Sequence, residues 1–117
     1  MADATIYHNP RCTKSRQAMQ VIEELGVDVE VVKYLEAPPD EATLRSIIAK
    51  LDVPASELVR REKWTELGVT PDDVATEDGV VRVLLRHPEL MQRPVVVKGD
   101  RAVIGRPTEK VTELLSS

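Results

Sequence analysis

The chain has 117 residues and a formal net charge of −4. That size predicts one domain, and that charge disfavours nucleic acid as the main partner, because phosphate contacts need a net basic face. Tyr7, Tyr34 and Trp64 are its only aromatic residues, too few for a base-stacking platform, and its lone cysteine, Cys12, excludes an internal disulfide framework and suits a reducing compartment.

The opening Met1-Ala2-Asp3-Ala4 has neither the basic nor the apolar segment of a secretory leader, and no apolar run approaches a membrane-spanning length. A soluble, cytoplasmic protein is therefore expected. Ala4 to Tyr7 alternates as a short strand. Ala18, Met19, Val21, Ile22 and Leu25 then recur at helical spacing up to Gly26, a residue suited to a left-handed helix end. Val27, Val29 and Val31 alternate with acidic residues, and the run to Tyr34 reads as a second strand. A strand–helix–strand unit of this length implies a right-handed crossover and parallel pairing.

Pro38-Pro39 breaks the chain before Asp40, a plausible helix cap for Leu44, Ile47, Ile48 and Leu51. Pro54 suits the start of a short helix from Ala55 to Arg61. From Glu62 to Ala75 only turn signals are legible. Thr76 resembles a cap for a helix carrying Val80, Val81, Leu84 and His87, although valines also favour strands. Pro94 to Lys98 and Arg101 to Ile104 form two short apolar runs joined by Gly99-Asp100, a hairpin signal. Pro107 opens a last helix bearing Val111, Leu114 and Leu115. The expected class is α/β: a β-α-β opening, a helical section over about residues 40–88 and a β-β-α close.

Cys12 falls where the first strand hands over to the first helix. Free amides and the positive end of the helix favour an anion there, and Arg11, Lys14 and Arg16 crowd the same turn, with His8 just before it. Lone cysteines are often buried small hydrophobes. These cationic neighbours argue instead for a thiolate, since such surroundings pull a thiol from about 8.5 to about 3.5–7.5. His8 and His87 lack metal-ligand spacing with Cys12, so no metal is expected, and His87 reads as a cation ending a helix. Cys12-Thr13-Lys14-Ser15 has Ser where a dithiol oxidoreductase has its second cysteine. A redox cycle on Cys12 therefore needs an external thiol.

Ile6-Tyr7-His8-Asn9-Pro10-Arg11-Cys12-Thr13-Lys14-Ser15-Arg16 resembles the active-site signature of the glutaredoxin-linked arsenate reductase (ArsC) family. The resemblance continues in Tyr34-Leu35-Glu36-Ala37-Pro38-Pro39, Glu57-Leu58-Val59-Arg60, His87 to Val97 and Ile104-Gly105-Arg106-Pro107. It implies a thioredoxin-like (glutaredoxin-like) fold with a four-stranded mixed sheet, and a cis Arg93–Pro94 bond. It also implies arsenate reduction in arsenic detoxification. Cys12 would attack arsenic, and glutathione and glutaredoxin would resolve the adduct without a bound cofactor. Arg60, Arg93 and Arg106 would hold the oxyanion, with His8 as electrostatic partner of the thiolate. Each arginine also has an ordinary reading as a solvated helix, turn or loop residue, and spacing does not separate Arg60 from Arg61. Two other functions fit the one-cysteine pattern: a glutathione-dependent oxidoreductase of another substrate, or an Spx-type regulator that binds RNA polymerase. The latter usually needs the second cysteine, replaced here by Ser15.

Overall fold

The computed structural model describes residues 2–116. β1 (Ala4–His8) leads into α1 (Thr13–Leu25), which stops at Gly26, whose φ of 68° is the left-handed cap read from the sequence. β2 (Val29–Lys33) returns parallel to β1, with Ile6 opposite Val31. It is shorter than the run from Val27 to Tyr34. β3 (Val95–Lys98) lies antiparallel on the other side of β1, with Ile6 opposite Val96, and β4 (Arg101–Ile104) closes a hairpin through Gly99-Asp100. The four-stranded order is β2-β1-β3-β4, the mixed thioredoxin-like sheet that the resemblance implied.

The strand period of two sends alternate side chains to opposite faces. Ile6, Val96 and Val103 pack with Ala18 and Ile22 of α1 and with Val111, Leu114 and Leu115 of α5 (Glu109–Ser116). Tyr7 and Val95 face the other way, against Leu44 and Ile47 of α2 (Glu41–Lys50) and Val80, Val81 and Leu84 of α4 (Glu77–Arg86). Between α2 and α4 the chain forms α3 (Trp64–Leu67). The result is three layers with an apolar core on each side of the sheet.

The caps explain the helix starts. Asp40 accepts from the Thr43 amide at 2.8 Å, and Thr76 accepts from the Gly79 amide at 3.1 Å. The helical reading of α4 holds despite its valines, because a helix places Val80, Val81 and Leu84 on one buried stripe. Two further boundaries differ from expectation. The segment after Pro54 is a 3₁₀ turn over Ala55–Leu58 rather than a helix to Arg61, because Val59 leaves it to bridge antiparallel to Met91. The last helix begins at Glu109, after a turn in which the Lys110 amide bonds the Pro107 carbonyl. The Arg93–Pro94 bond is cis as expected, and so is Arg106–Pro107. Among the described residues no helix is long and apolar enough to cross a membrane.

Candidate active site

Cys12 is the N-cap of α1, with an extended backbone (φ −94°, ψ 124°) and no side-chain capping bond. Its half-exposed Sγ is therefore left to the amides of the first turn. Burial pushes the thiol up. The Ser15 amide, the Arg93 guanidinium as donor and as charge, and the Lys14 amide more than offset it, and the thiol sits below its ordinary value. The first-turn amides act as the sequence predicts, but the charge comes from the distant Arg93 rather than from Arg11, Lys14 and Arg16. Those three side chains are exposed, and Arg16 is occupied by the Pro10 carbonyl at 3.1 Å and Thr13 Oγ1 at 3.3 Å.

Arg106 reaches the sulfur directly. Its Nη2 lies 3.6 Å from Cys12 Sγ, while its Nε is anchored on the Arg93 carbonyl at 2.8 Å. The hairpin of β3 and β4 carries Arg93 and Arg106 at the same end, since the Gly105 amide bonds the Pro94 carbonyl at 2.8 Å. Gly105 is packed so closely there that a Cβ would stand 2.8 Å from Pro94 Cγ and 2.9 Å from Val111 Cγ2.

Arg60 comes from the middle section. The Arg60 amide bonds the Leu90 carbonyl at 2.7 Å and the Gln92 amide bonds the Leu58 carbonyl at 2.8 Å. These bonds flank the Val59–Met91 bridge and lay Arg60 beside the segment that ends in Arg93. Glu62 takes Arg60 Nε at 3.0 Å. Arg61 turns away, its guanidinium 6.0 Å from the Trp64 ring. The structure therefore separates the two arginines that spacing left open.

His8 has a different partner from the one expected. It is buried, and its Nδ1 lies 2.6 Å from Ser15 Oγ, which also accepts from the Asn9 amide at 3.0 Å. Burial, then Lys33 and Arg16, hold its pKa below the ordinary histidine value, so the neutral ring is favoured. A neutral ring is a poor electrostatic partner for a thiolate. Through Ser15, His8 instead ties the end of β1 to the first turn of α1, whose amides face Cys12.

Two groups escaped the sequence reading. Ser15 looked only like a missing cysteine, yet it ties β1 to α1. Tyr34 is fully buried in the core with Leu58, Val59, Leu90 and Met91. It follows β2, and the β1–β2 register, which ends at His8 opposite Lys33, brings it level with Asn9. That parallel register was the available signal. The Tyr34 hydroxyl, Arg93 Nε and Arg93 Nη1 are all buried and make no hydrogen bond. Buried donors without acceptors are uncommon in folded proteins, and here they gather beside a thiol. Among the described residues no group of three His, Cys, Asp or Glu side chains could hold a metal. A cavity of about 420 Å³ between α3 and α4, lined in part by Asp72, Arg82 and His87, shares no residue with this site.

The model of the ArsC family matches residues 7–114. Among curated relatives, an uncharacterized Escherichia coli protein, YfgD, is 43% identical, with 94% of each chain covered. An arsenate reductase of Neisseria meningitidis is 39% identical over 98% of this chain and 100% of its own length. The solved arsenate reductase from Vibrio cholerae superposes with a TM-score of 0.82 at 32% identity, covering 96% of this chain and 97% of that one.

Proposed function

This chain belongs to the ArsC family, and from that premise we propose that it is an arsenate reductase with Cys12 as nucleophile and Arg60, Arg93 and Arg106 as the oxyanion site. The observation that carries the reading is that Arg93 and Arg106 meet at a thiol of lowered pKa, with two Arg93 nitrogens lacking any acceptor, while Arg60, Arg93 and Cys12 all act on the same buried Tyr34 phenol. Thiolate and oxyanion repel each other, so their encounter needs fixed positive charge. Guanidinium forks suit a tetrahedral oxyanion because they pair with two of its oxygens at once.

The chemistry follows from one cysteine. Cys12 Sγ attacks arsenic(V), and one arsenate oxygen leaves as water. The thiolate of glutathione displaces a second oxygen. A glutaredoxin thiolate then attacks the glutathione sulfur. As that sulfur–sulfur bond forms, the sulfur–arsenic pair of electrons passes to arsenic, which becomes arsenic(III). Water displaces Cys12 and arsenite leaves. Both electrons come from the two external thiols, so no resident cofactor is required and the compartment must be reducing, as in a cytoplasm.

The test is a coupled assay that follows NADPH oxidation with arsenate, glutathione, glutaredoxin and glutathione reductase. Turnover that depends on arsenate and on Cys12 is expected. Reduction of a glutathione mixed disulfide without any arsenate turnover would reassign the substrate.

A further inference from the structure

Tyr34 is buried to 0% exposure, yet its hydroxyl has no hydrogen-bond partner. Leaving a buried hydroxyl unpaired is costly, and phenylalanine would fill the same space without that penalty. The surroundings suggest what the hydroxyl is for. Tyr34 lies in the same buried core as Leu58 and Val59, which lead to Arg60, and as Leu90 and Met91, which lead to Arg93. Arg93, Arg60 and Cys12 all act on it electrostatically. Two further unpartnered donors, Arg93 Nε and Nη1, share its situation. The Asn9 side chain acts on the phenol as a donor, which lowers its pKa, but no hydrogen bond is formed and no acceptor is supplied for the phenol proton; its own Oδ1 accepts from the Arg11 amide at 3.0 Å.

We propose that Tyr34 is a further oxyanion-binding residue: when a tetrahedral anion enters between Arg60 and Arg93, the Tyr34 hydroxyl donates a hydrogen bond to one of its oxygens. The inference rests on the anion pocket proposed above, but not on arsenate being the anion. All the unpartnered groups at this place can donate, and an oxyanion offers only acceptors, so one ligand satisfies the whole set. The hydroxyl is out of solvent contact in the free protein. Binding therefore draws Tyr34 and Arg93 onto the anion rather than exchanging water for it. Burial, the largest influence on the phenol, raises its pKa, and the nearby arginines only partly oppose that. The group thus keeps its proton and stays a donor across the working pH range.

The variant is Tyr34→Phe, compared with the parent in two measurements. The first is the thermal midpoint of the free protein. The second is protection of Cys12 from iodoacetamide by arsenate and, separately, by sulfate, each taken as the ratio of alkylation rates with and without the anion. A midpoint equal to or above the parent's is expected, because no existing bond is lost. Protection by either anion should require about ten- to a hundredfold more anion, the scale of one hydrogen bond to a charged group. Unchanged protection in Tyr34→Phe would overturn the proposal and leave Tyr34 a core residue. A lowered midpoint, or failure to fold, would also overturn it, by showing that the hydroxyl already bonds within the free protein. If neither anion protects the parent, the pocket itself is wrong and Tyr34 falls with it. If the parent is protected but does not turn over arsenate, only the substrate is wrong.

Discussion

Cys12 owes its acidity to groups that sequence distance hides. The first-turn amides of Lys14 and Ser15 are local, but Arg93 is not, and the exposed Arg16 is turned onto Pro10 and Thr13. The alkylation rate of Cys12 should therefore have its pH midpoint below the free-cysteine value of about 8.5. Arg93→Ala should raise that midpoint, whereas Arg16→Ala should leave it nearly unmoved. The reverse ranking would restore the local basic cluster as the cause. His8 makes a second, independent prediction. Its folded pKa lies below the unfolded value, so between the two the unfolded chain binds more protons. Stability should then fall as pH drops below about 6.5, and level off once pH has passed the folded value. Ser15→Ala leaves His8 Nδ1 and the Asn9 amide without their shared partner, at a cost of about 1–3 kcal/mol by thermal unfolding. The sequence marked Cys12, the three arginines and His8 but passed over Ser15 and Tyr34, because both are placed by contacts across the β1–α1 and β1–β2 units, of which only the parallel β1–β2 pairing was legible.

The elements divide into those set by local chemistry and those set by contact. β1, α1, the β3–β4 hairpin and the caps at Gly26, Asp40 and Thr76 were legible, since periodicity and a capping residue occur together in each. The stretch from Ala55 to Val74 was not. Its pieces are a 3₁₀ turn, a single bridge, the four-residue α3 and another 3₁₀ turn, all too short for an amphipathic pattern to repeat. What fixes them is packing, and Gly79 shows how tight it is. This glycine lies in the first turn of α4, and a Cβ there would collide with the Asp73 carbonyl. Gly79→Ala gains about 1 kcal/mol of helix propensity but overpacks this contact, typically at about 1–3 kcal/mol or more. The collision is with backbone, which yields little, so the variant should be less stable than the parent by chemical denaturation. An unchanged or higher stability would show that the turn before α4 yields freely. Arg45 is the opposite case. It pairs with Glu41, Glu77 and Asp78 and so links α2 to α4, but it is half-exposed and its partners are exposed, and Arg45→Ala should lower the thermal midpoint only slightly, and less still in high salt.

At the scale of the whole molecule, the site is an outcome of topology. Cys12 ends a loop after the central strand β1. Arg93 and Arg106 flank the neighbouring hairpin, and Arg60 is brought in by a bridge between two segments of the middle section. Because each arginine stands on a different element, each should be removable without dismantling the others. That permits a test that separates an oxyanion pocket from a merely reactive thiol. Arg93→Ala, Arg106→Ala and Arg60→Ala should each lower arsenate turnover by about ten- to a hundredfold, the value of one charged hydrogen-bonding partner. Alkylation by a neutral reagent, compared at a pH where Cys12 is fully ionised in every variant, should change far less, since that reaction develops no second negative charge beside the sulfur. Lysine at position 93 should rescue poorly, because a point charge cannot pair with two oxygens at once. Arg61→Ala, on the exposed side of the same turn, serves as the control and should leave both reactions alone. If arsenate turnover and neutral alkylation fall together in the arginine variants, the arginines act on the thiol alone. If Arg61→Ala lowers turnover as much as Arg60→Ala, the bridge between Val59 and Met91 does not orient the pair as described.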